Sequence, residues 1–175
     1  MSALLTLSKW IDRFNQRLGR LVSWLVLLTV LVSAWNAISR KVWNLSSNGL
    51  LEIQWYLFGA VFLLGAAYTL QQNAHVRIDL LSARWQPKTR AWIEIVGHVI
   101  FTLPFIGFML VHGSDFAWKS FVLGEMSPDP GGLIRWPAKA FIVGGFACLS
   151  LQVLSELIKA TQVIRQHSGA QHGTE

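Results

Sequence analysis

The chain has 175 residues, of which 53% are apolar and 14% are Asp, Glu, Lys or Arg, and its formal net charge is +6. Soluble proteins carry about 25% charged residues, so this deficit argues against a soluble enzyme, and the apolar content excludes an intrinsically disordered chain. The single cysteine excludes an intrachain disulfide and a CxxC metal site.

The first 20 residues combine an apolar stripe with a basic polar side. Apolar side chains recur at helical spacing from Leu4 to Leu21, whereas Lys9, Asp12 and Arg13 lie on the other side. This pattern predicts an N-terminal amphipathic interfacial helix that lies along the membrane surface and bends relative to the first span. The alternative, a straight extension of that span into water, would expose the apolar stripe.

Four apolar stretches have the length of membrane spans, because about 20 helical residues cross ~30 Å of hydrocarbon. They cover residues 21–38, 50–70, 91–111 and 136–158. The sequence therefore predicts an all-α polytopic membrane protein with four transmembrane helices. We expect a single four-helix membrane domain over residues 1–165 and a disordered polar tail over residues 166–175.

The distribution of basic residues predicts how the chain is oriented. Ten of the 15 Lys and Arg residues lie at the termini or between the second and third spans, and the opposite side has five: Arg40, Lys41, Lys119, Arg135 and Lys139. Positive charge accumulates on the cytoplasmic side of membrane proteins. The prediction is therefore a multi-pass membrane protein with both termini in the cytoplasm.

No Asp, Glu, Lys or Arg lies near the middle of any predicted span. Glu52, Glu94, Lys139 and Glu156 lie within three residues of a span end. Ion and proton pathways require polar or ionisable groups at depth. We therefore expect that this chain alone moves no ion or charged solute, which also argues against a self-contained homodimeric exporter.

Two charged residues near the predicted outer interface have different interpretations. Both residues could pair within the bundle, or Glu52, whose short stem disfavours snorkelling, could bond to a partner subunit. The long side chain of Lys139 favours snorkelling toward lipid headgroups.

Two histidines allow an alternative function, a membrane haem-binding electron carrier. His98 and His112 are 14 residues apart, close to four helical turns, so they would share one face. Each haem would also need an axial ligand from a facing helix, and the first, second and fourth spans contain no histidine. The simpler interpretation is a packing contact for His98 and an outer-edge position for His112.

Motifs for enzymes and for nucleic-acid binding are missing from the sequence. There is no GxSxG, HExxH or P-loop pattern, so we expect no enzymatic activity. The basic residues flank spans and do not form a soluble patch, which argues against nucleic acid as a partner.

The second span and the run before the fourth span carry a family resemblance. Glu52 opens the second span, Gly59 and Gly65 are expected to face a neighbour, and His75-Val76-Arg77-Ile78-Asp79 closes it. Asp129-Pro130-Gly131-Gly132-Leu133 and Arg135-Trp136-Pro137 precede the fourth span. They belong to an outer loop expected over residues 112–135, where two prolines and two glycines between Ser127 and Gly132 interrupt any helix and predict an ordered turn. Together with length and topology, these segments resemble the small four-helix membrane subunit of tripartite ATP-independent periplasmic (TRAP) transporters.

The resemblance implies a function that composition does not show. In that family a large membrane subunit carries the transport path and binds sodium, and a periplasmic substrate-binding protein captures an organic acid. The small subunit, located in the bacterial inner membrane and without a cofactor of its own, would brace the large one during sodium-coupled symport. The resemblance also suggests subunit-interface or structural roles for seven residues: Glu52, Trp55, Gly59, Gly65, His75, Arg77 and Asp79. Arg77 and Asp79 are expected to be ordered, with Asp79 capping a short helix over residues 79–84.

Overall fold

The computed structural model describes residues 2–45, 47–72 and 85–170, and side chains between residues 3 and 166 of those ranges. These residues form five α-helices and one π-helical turn. The α-helices are α1 (Ser2–Val42), α2 (Asn48–Gln71), α3 (Pro87–Gly97), α4 (Leu103–Val122) and α5 (Trp136–Ala170), and the π turn (His98–Thr102) joins α3 to α4.

Four helical stretches are long and apolar enough to cross a membrane, which confirms the predicted all-α, four-span architecture. They are Ala3–Val42, Asn48–Gln71, Pro87–Val122 and Trp136–Gln166. The third stretch has 36 residues and is about 54 Å long at ~1.5 Å per residue, so it projects beyond a hydrocarbon core of ~30 Å. The outer loop, expected from residue 112, therefore begins only after Val122.

The N-terminal region differs from its prediction, because α1 is one long, apolar helix and contains no separate surface helix. Gly19 does not break it; a Cβ atom there would lie 2.8 Å from the Cβ atom of Tyr68, so glycine allows α2 to approach. Leu7 and Trp10 are exposed on the outer side of the helix, but Asp12 faces α5 instead of water. The N-terminal half of α1 thus packs against α5 as part of one continuous helix, where amphipathicity alone predicted a separate surface helix.

α5 is the central element of the bundle and packs against each of the other four helices. Its Val153 is fully buried beside Leu70 of α2 and Ile106 of α4. A Cβ atom at Gly145 would lie 2.7 Å from the Leu63 carbonyl oxygen, so the backbones of α5 and α2 are in close contact there. Small residues allow such close helix packing in membranes.

Several sequence predictions fall at or beyond the limits of the described residues. α5 continues to Ala170, so residues 166–170 of the predicted disordered tail are helical, and residues 171–175 lie outside the described ranges. His75, Arg77, Asp79 and the predicted short helix over residues 79–84 also lie outside them.

Candidate functional site

A structured loop covers the start of α2, at what we call the loop end of the bundle. Residues 123–135 fold back on themselves, with Met126 and Ile134 forming an antiparallel bridge. The loop is tied to α2 because the Asn48 amide donates to the Pro130 carbonyl (3.0 Å) and the Tyr56 hydroxyl donates to the Ile134 carbonyl (3.3 Å). The two prolines and two glycines that predicted a turn here are therefore part of an ordered cap.

Glu52 is the side chain that holds this loop in place. It lies in the second turn of α2, is only 8% exposed, and accepts a hydrogen bond from the Ser127 hydroxyl. Its other carboxylate oxygen accepts the Leu133 N–H at 2.6 Å. A Cβ atom at Gly132 would lie 2.8 Å from the Glu52 Oε1 atom, so glycine makes room for the carboxylate. Of the two interpretations of Glu52, the structure shows pairing within the chain.

Lys139 does not snorkel toward headgroups, and that prediction is wrong. Its ammonium group forms an ion pair with Glu125 and lies 3.8 Å from the centre of the Phe116 ring, and the side chain is only 14% exposed. Arg135 adds a second, longer contact to Glu125 at 3.7 Å. The hydrogen bond from Lys139 lowers the pKa of the Glu125 carboxyl below its ordinary value. The folded loop brings Glu125 within reach of Lys139, and the sequence separation of the two residues did not show this.

A second polar cluster lies at the opposite, terminal end of the bundle, where α1 begins and α5 ends. Its centre is the Asp12 carboxylate of α1. Asp12 accepts hydrogen bonds from Gln152 (3.0 Å) and Ser155 (2.8 Å), and it lies 2.8 Å from the Lys159 ammonium. These three donors all belong to α5, so one carboxylate joins the two ends of the chain.

Two further hydrogen bonds extend this terminal-end cluster along α1. The Asn15 amide donates to Gln152 at 2.8 Å, and the hydroxyls of Ser8 and Ser155 are 2.7 Å apart. Because the Ser155 proton is used for Asp12, Ser8 is the donor of the second pair. Sequence analysis missed this cluster. Its signal was two polar stripes at helical spacing, residues 8, 12 and 15 on α1 and residues 152, 155 and 159 on α5.

The other described candidates are Trp55, Gly59 and Gly65, which lie on α2 and are not members of either cluster. Trp55 is 74% exposed, and a Cβ atom at Gly59 would meet nothing within 4 Å, so both point out of the bundle. Gly65 instead faces Val22 of α1 at 3.7 Å. We use the term α2 outer face for the three exposed rings of Trp55, Phe58 and Phe62 together with the half-buried Gly59.

Nothing in the described residues supports the haem interpretation. The π turn has i→i+5 hydrogen bonding, which changes the helical register between His98 and His112. His98 is 3.3 Å from the Thr102 hydroxyl, whereas His112 packs on the Phe108 ring. They are the only two histidines whose side chains are described, and no metal-binding group of three or more His, Cys, Asp or Glu residues occurs in the described ranges.

The fold and its clusters define a class, a multi-pass membrane protein in which polar clusters join the helices at both ends of the bundle. The family model described as "Tripartite ATP-independent periplasmic transporters, DctQ component" matches residues 29–163. Since this match covers most of the chain, the protein belongs to the DctQ family, the small membrane subunits of TRAP transporters, and the resemblance is confirmed. The comparison with curated proteins found no match, and neither did the comparison with solved structures.

Proposed function

We propose that this chain is the small subunit of a TRAP transporter and braces the large subunit, which imports an organic acid with sodium from a periplasmic binding protein. Besides the family match, the observation that carries the proposal is that the charged side chains of this chain pair with other groups of the same chain. Glu52, Glu125 and Lys139 join elements at the loop end, and Asp12 and Lys159 join helices at the terminal end. Charges used in this way stabilise a scaffold and do not form a path through the bilayer.

The α2 outer face is our candidate contact with the large subunit. It presents three exposed aromatic rings around the open Gly59, a small residue that would allow another helix to approach closely. The family works as a complex of two membrane subunits and a binding protein. An exposed apolar helix face of this chain could therefore pack against the large subunit within the bilayer.

The proposed orientation places both termini in the cytoplasm of a cell with an inner membrane. The excess of basic residues on the side of the termini supports it. The loop of residues 123–135 would then face the periplasm, the side from which a substrate-binding protein delivers its solute. Sodium would bind to the large subunit, and this chain would need no cofactor.

Reconstitution in liposomes tests the proposal. We expect sodium-driven uptake of an organic acid when the large subunit, this chain and the binding protein are all present. Liposomes with this chain alone should match empty liposomes, and liposomes without this chain should lose most uptake. Uptake by this chain alone, or full uptake in its absence, would contradict the bracing role.

A further inference from the structure

A charged cleft opens between the start of α3 and the terminal end of α5. Its volume is about 290 Å³. Arg90 and Lys159 contribute two positive charges to its walls, and Glu94 and Glu156 contribute two negative charges. Trp85 lies at its edge and is exposed. The formal charges of these side chains cancel, so the cleft is zwitterionic and not simply basic.

The position of the cleft along α5 places it at a membrane surface. Lys159 is 23 residues beyond Trp136, which begins α5, and this separation corresponds to about 35 Å of helix at ~1.5 Å per residue. A hydrocarbon core is ~30 Å thick, so a helix that enters at Trp136 reaches the opposite headgroup layer near Lys159. An exposed tryptophan such as Trp85 is typical of that layer.

Lys159 and Glu156 retain hydrogen-bonding capacity for a ligand. The Lys159 ammonium has three donors, of which Asp12 takes one at 2.8 Å and Glu156 takes another at 3.0 Å. The Arg90 guanidinium has five donors in a planar fork that suits a phosphate group. Both hydrogen bonds to the Glu156 carboxylate are made by Oε1, which leaves Oε2 to accept from a further donor.

We propose that this cleft binds the headgroup of a phosphatidylethanolamine-type phospholipid. The phosphate lies against Arg90 and Lys159, and the primary ammonium lies against Glu94 and Glu156. A phosphatidylglycerol headgroup has no cation for the two carboxylates, so they would repel its phosphate. A choline headgroup carries a quaternary ammonium, which has no N–H to donate to a carboxylate. A lipid at this position would fill the gap between α3 and α5 and help to hold them together.

Lipid retention by the purified full-length chain tests the proposal. Native mass spectrometry in detergent would compare phosphatidylethanolamine, phosphatidylglycerol and phosphatidylcholine, each added at equal concentration. We expect phosphatidylethanolamine to be retained about fivefold better than the other two, the size of a partly exposed ion-pair effect. Arg90→Gln should remove most of this advantage. Lys88→Gln is the matched control, because Lys88 lies on the same helix and does not line the cleft.

A second variant separates headgroup recognition from loss of fold. Glu94→Gln makes the cleft net positive, so its preference should shift toward phosphatidylglycerol, and misfolding would not produce such a shift. Equal retention of the three lipids, equal effects of Lys88→Gln and Arg90→Gln, or an unchanged preference in Glu94→Gln would each overturn the proposal.

Discussion

The Asp12 carboxylate of α1 lies 2.8 Å from the Lys159 ammonium of α5, so an ion pair joins the first helix of the chain to the last. The two groups are partly exposed, and Asp12 also accepts hydrogen bonds from Gln152 and Ser155. This arrangement explains why the N-terminal half of α1 continues the first span and does not turn along the membrane surface. The α1 residues of this cluster, 8, 12 and 15, lie before the segment that matches the family model, residues 29–163.

Asp12→Ala should destabilise the bundle by about 1–3 kcal/mol, because Lys159 and Gln152 would lose a shared acceptor at a partly desolvated position. Thermal or denaturant unfolding in detergent micelles would measure the loss. Arg13→Ala is the control. Arg13 is next to Asp12 but is exposed, so removing its side chain should change stability by no more than ~0.5 kcal/mol. Equal effects of the two substitutions would show that the cluster does not hold α1 in place.

Glu52→Ala should release the loop of residues 123–135 from α2, because the Leu133 N–H and the Ser127 hydroxyl would lose their acceptor. Amide hydrogen exchange is the direct measurement. We expect the Leu133 amide to exchange roughly tenfold faster or more in the variant. Gln54→Ala, two residues away on the same helix, should leave this rate unchanged. An unaltered Leu133 rate in Glu52→Ala would contradict the role assigned to the carboxylate.

Two glycine substitutions should have different effects on the stability of the bundle. Gly145→Ala places a methyl group 2.7 Å from the Leu63 carbonyl oxygen, and such overpacking should cost about 1–3 kcal/mol of stability. At Gly59 the new methyl group meets nothing within 4 Å, so Gly59→Ala should be neutral or stabilising by up to ~1 kcal/mol through helix propensity. Unfolding of both variants in the same detergent checks the difference, and equal stabilities would contradict the close α2–α5 packing.

Substitutions on the α2 outer face should weaken association with the large subunit without changing the fold of this chain. Trp55→Ala should lower the affinity roughly tenfold if this exposed ring is an interface anchor. Phe101→Ala removes an equally exposed ring from the π turn and is the matched control. Co-purification and a binding titration in detergent would compare the two, and equal retention of the large subunit would assign the α2 outer face to lipid.

The loop end should be sensitive to acid because of Glu125. Its folded-state pKa is lowered from the ordinary value of 4.5 by the hydrogen bond from Lys139, so the unfolded chain binds more protons. The stabilisation is therefore complete above about pH 4.5 and is lost as the pH falls through the lower folded-state value. Melting temperatures between pH 7 and pH 3 should show this loss, and Glu125→Gln should show a smaller one. Identical pH profiles for the unmodified chain and Glu125→Gln would contradict the role assigned to Glu125.

Local sequence properties predicted the architecture and the family of this protein. Long apolar stretches with charges at their ends predicted four spans, because the bilayer requires about 20 apolar residues in each helix. The run from Ser127 to Gly132 predicted an interruption, because proline and glycine end a helix wherever they cluster. The resemblance depended on the second span, on the segment that closes it and on the run before the fourth span, and the family match confirms it.

Only the tertiary structure decided which groups are paired. Glu52 meets Ser127, Lys139 meets Glu125, and Asp12 meets three residues of α5. Helical periodicity shows which side of a helix is polar, but it does not show whether that side meets water, lipid or another helix. Asp12 therefore looked like part of a water-facing surface until the packing of α1 against α5 brought it to Gln152, Ser155 and Lys159. Such contacts depend on how helices distant in sequence pack together, and no local pattern carries that information.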